Sequence, residues 1–277
     1  MEKLDRLGWA DGLNVVAYGV RIGVRTNRPE VLERVAALLP PGSRPAAGPV
    51  SDRIVSVLVG GPDPGRNVRR FHLLYSDALM LARTHDLEEA LGRLADHLQL
   101  YVAEAAPRRV FVHAGVVGWR GRAIVLPGVS YSGKSTLVAA LVAAGATYYS
   151  DEYAVLDGRG RVHPFPRALQ SRAHGGTRSI DPEALGGAGT DPLPVRLVAA
   201  LRYSPRARWR PRRLTAGAGV LEMLAHAVPA RGRPREVLAT LRRVASVAPV
   251  ITGGRAEAAE AAQRLLATLD GAEGVTR

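Results

Sequence analysis

The sequence predicts an α/β protein in which a core built around a phosphate-binding loop follows a small α+β region. From Arg109 onward, apolar strand patterns alternate with helical patterns, which is typical of α/β folds. An apolar strand over 123–126 runs into a glycine-rich loop and then into a helix. The pattern changes near residue 106, so we expect a small α+β region over 1–106 and the core over 107–277.

The N-terminal region is predicted from its alternation and capping signals. A single Val- and Ile-rich strand is expected over 13–25. Asn27 is then expected to cap a helix that ends near Leu39. The other elements expected here are a strand over 54–59, a hairpin over 71–83, and a helix that is capped by Asp86 and ends near Glu104.

The core is predicted to alternate between buried strands and amphipathic helices. Its expected strands lie over 110–117, 123–126, 147–149, 195–201 and 249–251, with a hairpin turn over 156–162. Its expected helices lie over 134–144, 215–227 (capped by Thr215), 234–245 and 255–269. The segment His174-Gly-Gly-Thr-Arg is predicted to be either a mobile substrate loop or a plain linker.

Composition excludes several classes of function. Cysteine is absent, which excludes disulfides, thiolate zinc sites and a cysteine nucleophile. No apolar run approaches the roughly 18 residues that a membrane span needs, and no signal-peptide pattern follows the N-terminus. We therefore expect a cytoplasmic protein that does not interact with membranes.

The chain is strongly basic, with a formal net charge of +13. Lys3 and Lys134 are the only lysines, so 36 of the 38 basic residues (38 − 2) are arginines. Such a charge can indicate a nucleic acid or an acidic partner. An arginine bias with abundant Ala and Gly is also typical of GC-rich coding, and no helix-turn-helix, zinc or aromatic RNA-binding motif is present. The sequence therefore does not favour nucleic acid as a partner.

Residues 128–136, Gly-Val-Ser-Tyr-Ser-Gly-Lys-Ser-Thr, match the P-loop pattern G-x-x-x-x-G-K-[ST] at every fixed position. The glycines allow a tight turn whose N–H groups, with the following helix N-terminus, form an anion nest. Lys134 would contact the β- and γ-phosphates, and the Ser135 hydroxyl would ligate Mg²⁺. We expect ATP and Mg²⁺ as ligands, with the nucleotide contacted by Gly128, Ser130, Ser132, Gly133, Lys134, Ser135 and Thr136.

An acidic pair, Asp151-Glu152, follows Lys134 after 17 residues (151 − 134). The helix between them is about 11 residues, roughly 16 Å long at 1.5 Å per residue. The helix therefore carries the chain away from the P-loop, and the strand that follows brings it back to the same end of the sheet. The pair would then lie beside the nucleotide phosphates, where metal ligands and a base for an incoming hydroxyl are needed. Because neighbouring strand residues point to opposite faces, both can act there only if the backbone turns at 150–152.

These segments resemble a known family. His113-Ala-Gly-Val-Val, the stretch from Gly121 to Gly128, the P-loop and Ser150-Asp-Glu are similar to the core of the HPr kinase/phosphorylase superfamily, in particular the HPr kinase-related proteins, which are short bacterial kinases. The resemblance spans 110–269 and is specific from His113 to Leu156. It implies a P-loop kinase core similar to that of phosphoenolpyruvate carboxykinase.

The resemblance also implies roles for individual residues. In the family, the first residue of an Asp-Asp pair is the catalytic acid/base and the second helps to hold the metal. Carried over, Asp151 would be the base, Glu152 would join Ser135 at the metal, and Lys134 would act on the phosphates. His113 would orient the pair, or it would be an ordinary half-buried strand histidine. The Glu-Val-Arg-Gly signature of true HPr kinases has no counterpart here, which argues against HPr as the substrate.

The leading functional hypothesis is transfer of the γ-phosphate of ATP to a hydroxyl, in particular a serine, of a peptide or small protein. A small-molecule kinase is the nearest alternative, and a P-loop ATPase or GTPase switch is a third. No Asn-Lys-x-Asp guanine motif and no Leu-Ser-Gly-Gly-Gln transporter signature supports the switch.

The arginine-rich segment 202–213 would dock an acidic or phosphorylated substrate, or would be a solvated loop, and Arg167 would reach the phosphates. No feature of the sequence indicates an oligomeric state.

Overall fold

The computed structural model describes residues 2–61, 71–129, 132–173 and 176–271, and it is a mixed α/β structure. The chain divides into two compact units, Met1–Pro107 and Arg108–Arg277. The sequence-based boundary at 106/107 lies one residue before this division. Among the residues that the structure describes, no helix combines the length and apolarity needed to cross a bilayer.

The first unit contains one six-stranded sheet in the order β3-β1-β2-β4-β5-β6. The strands are β1 (Asp11–Ala17), β2 (Val20–Thr26), β3 (Arg44–Pro45), β4 (Arg53–Leu58), β5 (His72–Ser76) and β6 (Leu79–Thr84). The helices are α1 (Glu2–Asp5), α2 (Leu32–Ala37) and α3 (Leu87–Ala105). As predicted, the Asp86 side chain caps α3 by accepting from the Glu88 N–H at 2.8 Å. Leu91, Leu94, Leu98 and Val102 recur every three to four residues on the buried side of α3, which contacts β5 and β6.

Two expectations for this unit were wrong. The single strand expected over 13–25 is a hairpin, because Tyr18 and Gly19 both adopt positive φ and form a two-residue turn between β1 and β2. Asn27 does not cap a helix. Its side chain instead exchanges two hydrogen bonds with the backbone of Val59, and a 3₁₀ turn over Pro29–Val31 precedes the short α2.

The second unit contains the P-loop segment. Its strands are β7 (Arg109–Trp119), β8 (Arg122–Pro127), β9 (Thr147–Ser150), β10 (Tyr153–Asp157), β11 (Arg161–His163), β12 (Leu169–Ala173), β13 (Gly176–Ile180), β14 (Leu193–Tyr203), β15 (Arg212–Arg213) and β16 (Val250–Arg255). Its helices are α4 (Lys134–Ala143), α5 (Ala216–Leu224), α6 (Pro234–Val247) and α7 (Ala258–Asp270). Thr215 caps α5, as predicted, by accepting from the Ala218 N–H.

The main sheet of this unit runs in the order β11-β10-β7-β8-β14-β16-β15. Strands β8, β14 and β16 are parallel neighbours, so their carboxyl ends lie at one edge of the sheet. These ends are the P-loop, Tyr203 and Arg255. Strands β9 and β10 both pair antiparallel with β7, on successive parts of that strand, and are separated by the turn that carries Asp151 and Glu152.

Buried side chains cover both faces of this sheet. One face packs against α5 and α6 through Met223, Val237, Leu241 and Val244. The other packs against α4 and α7 through Leu137, Val138, Leu141 and a second set comprising Ala261, Ala262 and Leu265. Fully burying one Val or Leu side chain stabilises a fold by about 1.5–3 kcal/mol. Because β8 and α4 are both held by such buried side chains, the two ends of the loop that joins them are fixed in place.

The Gly-rich stretch over 174–178 was predicted to be a loop or linker. In the structure, β12 and β13 form an antiparallel hairpin around it, with Leu169 opposite Ile180. His174 and Gly175 lie outside the described residues. The prediction missed the hairpin because the two strands are short and polar, and no apolar alternation marks them.

Candidate functional site

The P-loop begins where β8 ends. The Gly128 N–H donates to the His113 carbonyl oxygen at 3.3 Å, which ties the first glycine to strand β7. A Cβ on Gly128 would lie 2.8 Å from Ser132 Oγ. Gly133 has a φ of +83°, and a Cβ there would lie 2.5 Å from Nη2 of Arg255. The positive φ therefore requires glycine at 133, and a side chain at 128 would displace the Ser132 hydroxyl.

The predicted nucleotide contacts are only partly described. Ser130 and Tyr131 lie outside the described residues. Thr136 lies exposed on the first turn of α4. The Ser132 hydroxyl is buried and has no hydrogen-bond partner among the residues the structure describes. A buried hydroxyl without a partner costs free energy, and a phosphate oxygen bound in the loop would accept its hydrogen.

Lys134 is directed back onto its own loop. Its Nζ donates to the carbonyl oxygens of Gly128 at 2.8 Å and Val129 at 3.0 Å. Burial lowers the pKa of Lys134, while the nearby charges of Glu152 and Asp151 act in the opposite direction. The two carbonyls therefore hold the ammonium group at the start of the loop, where it would meet a terminal phosphate.

The acidic pair lies in a turn, as the predicted chemistry requires. Strand β9 ends at Ser150, whose hydroxyl accepts from the backbone N–H groups of Glu152 at 3.1 Å and Tyr153 at 3.0 Å. These bonds close a tight bend before β10 begins. Asp151 and Glu152 therefore escape the strict alternation of a strand and point to different neighbours.

Asp151 points toward the P-loop helix. Its carboxylate accepts from the Ser135 hydroxyl at 3.1 Å and from the Gln170 backbone N–H at 3.3 Å. The residue is only 7% exposed, and burial raises the pKa of Asp151 despite the bonds from Gln170, Ser135 and Tyr148. The ionised carboxylate is thus short of compensating positive charge in this state.

Tyr148 faces two acceptors with a single hydroxyl proton. Its hydroxyl lies 2.7 Å from the Arg167 carbonyl oxygen and 3.3 Å from Asp151 Oδ1. Because the shorter contact is the better hydrogen bond, Tyr148 only weakly compensates the carboxylate. Arg167 thus approaches the site through its backbone, and its charge is a minor influence that lowers the pKa of Asp151.

Glu152 lies beside His113, and its charge also acts on Lys134 at the start of α4. Its carboxylate lies 3.7 Å from His113 Nε2, while its backbone oxygen lies 2.9 Å from His113 Nδ1. Because that carbonyl oxygen can only accept, the Nδ1 of His113 is the donor in the shorter contact. The Glu152 side chain is 36% exposed, so it is open to an incoming molecule.

The geometry regroups the predicted residues. The sequence analysis expected Ser135 and Glu152 to share the metal, with Asp151 as the base. The structure brings Ser135 together with Asp151, and no hydrogen bond between Ser135 and Glu152 is present among the described residues. No cluster of three His, Asp or Glu side chains able to hold a metal is found within 2–61, 71–129, 132–173 and 176–271. Ser135 and Asp151 fit Mg²⁺ in the way that is usual for this ion, which binds one or two carboxylates together with substrate phosphates.

Arg255 was missed as a site residue because the sequence analysis assigned it to the start of the last helix. It is the last residue of β16 and is 3% exposed. Its Nη2 donates to the Gly133 carbonyl oxygen at 2.7 Å, and its guanidinium lies over the Tyr203 ring at 5.2 Å. Burial lowers the pKa of Arg255. The position of an arginine at the carboxyl end of a buried strand was the available signal.

A cleft of about 460 Å³ opens beside the loop. It lies between the start of the P-loop, the end of β14 and helix α5, and its lining comprises Pro127, Gly128, Val129, Ser132, Ala200, Leu201, Arg202, Tyr203, Glu222 and His226. The sequence analysis had singled out neither Glu222 nor His226. Glu222 is on α5 and His226 follows the helix by two residues, and their spacing of four (i, i+4) in a predicted helix was a weak signal in the sequence.

Comparison with known proteins identifies no relative of this chain. A scan against models of protein families finds no match, and a search of curated proteins finds none either.

Proposed function

We propose that this protein is an ATP-dependent kinase that transfers the γ-phosphate to a hydroxyl group. The observation that carries the proposal is the contact between Ser135 on the P-loop helix and Asp151. In P-loop proteins the serine of the motif and a nearby aspartate hold Mg²⁺ on the nucleotide phosphates. The resemblance of 110–269 to HPr kinase-related proteins supports the same reaction, with a P-loop kinase core.

The loop residues would bind and orient the nucleotide. The N–H groups at the start of α4 would bind the phosphates, and Lys134 would exchange its two carbonyl partners for phosphate oxygens. The unpaired Ser132 hydroxyl would donate to the same group. Bound Mg²⁺ would neutralise charge on the β- and γ-phosphates.

Asp151 and Glu152 would have different roles in the reaction. Asp151 lies against Ser135, which favours a role at the metal, directly or through water. Glu152 is more exposed and lies beside His113, which favours it as the acceptor of the hydroxyl proton. This assignment exchanges the roles expected from the family resemblance, in which Asp151 is the base and Glu152 the metal ligand.

Two acceptor classes are proposed. The first is a serine of a peptide or small protein, which the exposed arginines of 202–213 would attract if the partner is acidic. The second is a small hydroxyl compound, and the half-enclosed cleft beside Val129 favours it, because pockets of about 300–1,000 Å³ suit small molecules. An ATPase or GTPase switch without an acceptor is the remaining alternative.

Nucleotide binding is the first test. Mg²⁺·ATP at 100 times its Kd is expected to raise the free energy of unfolding by about 2.7 kcal/mol, measured by thermal or urea unfolding. The Lys134→Ala variant should fold normally and lose ATP turnover, because among the described residues the ammonium group donates hydrogen bonds to two loop carbonyls and to no core residue. Arg242→Ala is the control variant, because it removes one exposed cation on α6, away from the loop, and it should keep normal turnover. Near-normal turnover by Lys134→Ala would overturn the kinase proposal.

A Mg²⁺ titration of ATP turnover separates the two acids. Asp151→Asn is expected to raise the Mg²⁺ concentration for half-maximal rate by roughly 10-fold to 100-fold. Glu152→Gln is expected to lower the rate by roughly 10²-fold to 10⁴-fold at saturating Mg²⁺. The reverse pattern would restore the assignment that the family resemblance implies.

A further inference from the structure

The cleft beside the P-loop would adjoin the terminal phosphate of a bound nucleotide. Its wall includes Gly128 and Val129, whose carbonyl oxygens hold the Lys134 ammonium group. A P-loop lysine contacts the β- and γ-phosphates, so the cleft adjoins the end of the nucleotide that is transferred. The base of a nucleotide would lie at the other end of its phosphate chain.

The same cleft is linked to the proposed base through His226 and His113. The backbone N–H of His113 donates to the carbonyl oxygen of His226 at 2.8 Å, and His226 lines the cleft. The His113 ring in turn lies 3.7 Å from the Glu152 carboxylate. These contacts connect the cleft to Glu152, although neither His113 nor Glu152 is part of its lining.

The cleft carries two opposite charges that do not neutralise each other. Glu222 comes from α5 and Arg202 from the end of β14. Neither side chain forms an ion pair or a hydrogen bond with any residue that the structure describes, although 38 of the 277 residues are basic. An unpaired carboxylate and an unpaired guanidinium on one cleft are complementary to a ligand that carries both charges.

His226 completes the polar side of the cleft without adding a full charge. Burial lowers the pKa of His226, and although Glu222 raises it, the positive charges of Lys134 and Arg202 lower it further. The imidazole is therefore neutral near pH 7 and can donate or accept one hydrogen bond. Val129 and Tyr203, which are 64% and 50% exposed, supply apolar surface at the rim.

We propose that this cleft is the acceptor pocket and that it binds a small zwitterionic hydroxyl compound of the hydroxy-amino-acid class. Glu222 would contact the ammonium group and Arg202 the carboxylate. This inference rests on the proposed kinase function. The acceptor oxygen forms a bond to the γ-phosphorus, the bond from that phosphorus to the β,γ-bridging oxygen breaks, ADP leaves with the electron pair, and the hydroxyl proton passes to Glu152. A serine inside a peptide chain carries neither charge, so the pocket favours the free amino acid.

The test uses four probes with the full chain and Mg²⁺·ATP. L-Serine and L-homoserine carry both charges, ethanolamine lacks the carboxylate, and 3-hydroxypropionate lacks the ammonium group. ADP release and the phosphorylated product, followed by ³¹P NMR, are expected for the two zwitterions at rates at least 10-fold above those for the two single-charge compounds. Equal rates for all four, or transfer only to a serine-containing peptide, would overturn the inference.

Two variants locate the charges. Glu222→Gln and Arg202→Gln should each raise the KM for L-serine at least 10-fold and leave the stabilisation by Mg²⁺·ATP unchanged. Arg242→Gln removes an exposed charge on α6, outside the cleft, and should leave the KM unchanged. Unchanged KM values in the first two variants would overturn the pocket.

Failure of the pocket is distinct from failure of the kinase. Stabilisation by Mg²⁺·ATP without transfer to either zwitterion would overturn the acceptor pocket alone. Absence of nucleotide stabilisation would overturn the kinase proposal and with it the role of the cleft as an acceptor pocket.

Discussion

The turns at the two ends of strand β10 carry buried aspartates with opposite electrostatic character. Asp151 precedes the strand and is 7% exposed, while Asp157 ends it and is 6% exposed. Burial raises the pKa of both carboxyl groups. At Asp151 this effect prevails, whereas at Asp157 hydrogen bonds from Arg161, His163 and Arg159 outweigh it and lower the pKa to about 2.

The difference lies in where the donors come from. Asp157 receives the backbone N–H groups of Arg159 at 2.9 Å and Arg161 at 3.0 Å, the Arg161 Nε at 3.1 Å and the His163 ring at 3.1 Å. All of them belong to the next six residues of its own chain. Asp151 draws its few donors from α4, β9 and β12, and they do not offset burial. A buried carboxylate whose hydrogen-bond capacity is filled by donors of its own turn stabilises that turn. A buried carboxylate that has too few donors and too little nearby positive charge to offset burial is suited to binding a cation.

The largest expected effect of this contrast is on metal-dependent turnover. Asp151→Asn should raise the Mg²⁺ requirement of ATP turnover by roughly 10-fold to 100-fold, since the amide is a poorer partner for a hard cation. Asp157→Asn should leave the requirement within about 2-fold, because its contacts are confined to the 157–163 turn. Steady-state ADP formation over a Mg²⁺ series measures both. Equal shifts in the two variants would remove the distinction.

Stability should change in the opposite order. Asp157→Asn removes a charged acceptor of four hydrogen bonds and should lower the free energy of unfolding by about 1–2 kcal/mol, a value that allows for solvent screening. Asp151→Asn removes a buried charge that burial opposes and should leave stability equal or slightly higher. Urea unfolding at pH 7 without nucleotide tests this order. A clear loss of stability in Asp151→Asn would show that its present contacts are sufficient.

The pH dependence of unfolding sharpens the same comparison. The folded pKa of Asp157 lies below its ordinary value of 3.8, so its stabilisation is present above that value and is lost as pH falls toward about 2. The folded pKa of Asp151 is raised, so its contribution is favourable below 3.8 and is lost as pH rises through the raised value. Unfolding free energies of the two Asn variants relative to wild type should therefore diverge as pH rises from 3 to 7. Parallel profiles would contradict the opposite pKa shifts.

The smallest expected effect is that of Tyr148→Phe. The change keeps the buried ring and removes the hydroxyl that contacts Arg167 O and Asp151 Oδ1. Loss of these bonds should cost about 1 kcal/mol of unfolding free energy. Because one weak donor to Asp151 is also lost, the acid side of the pH–turnover profile should move to slightly higher pH. A move to lower pH would mean that Asp151 donates to the tyrosine when it is protonated.

Local signals in the sequence predicted the elements that depend on neighbouring residues. The caps at Asp86 and Thr215, the strand before Gly128 and the helix from Lys134 follow from short-range chemistry, and all are present. The hairpin at Tyr18-Gly19 was missed because Tyr rarely adopts positive φ and therefore does not mark a turn. The role of Asn27 was missed because its partner, Val59, lies 32 residues away.

The candidate site shows the same limit. The P-loop motif and the acidic pair are contiguous in sequence, so their presence could be predicted. Which acid contacts Ser135 depends on the bend set by Ser150, and a one-residue change in that bend would exchange Asp151 and Glu152. Arg255 and Glu222 reach the site only through the order of the parallel strands and the position of α5, which no local pattern specifies.

The bond between Arg255 and Gly133 also bears on the order in which this unit folds. It joins residues 122 positions apart, and the parallel pairs of β14 with β8 and β16 likewise close long loops. Contacts of such sequence separation form late, because the entropy of loop closure must be overcome before they stabilise the chain. The β7–β8 hairpin and α4 can form early from local contacts, but the turn at Gly133 receives its arginine only when the last strand docks. A refolding chain therefore regains helical signal before it regains the geometry of the loop between β8 and α4, and the delay between the two measures the docking of β16.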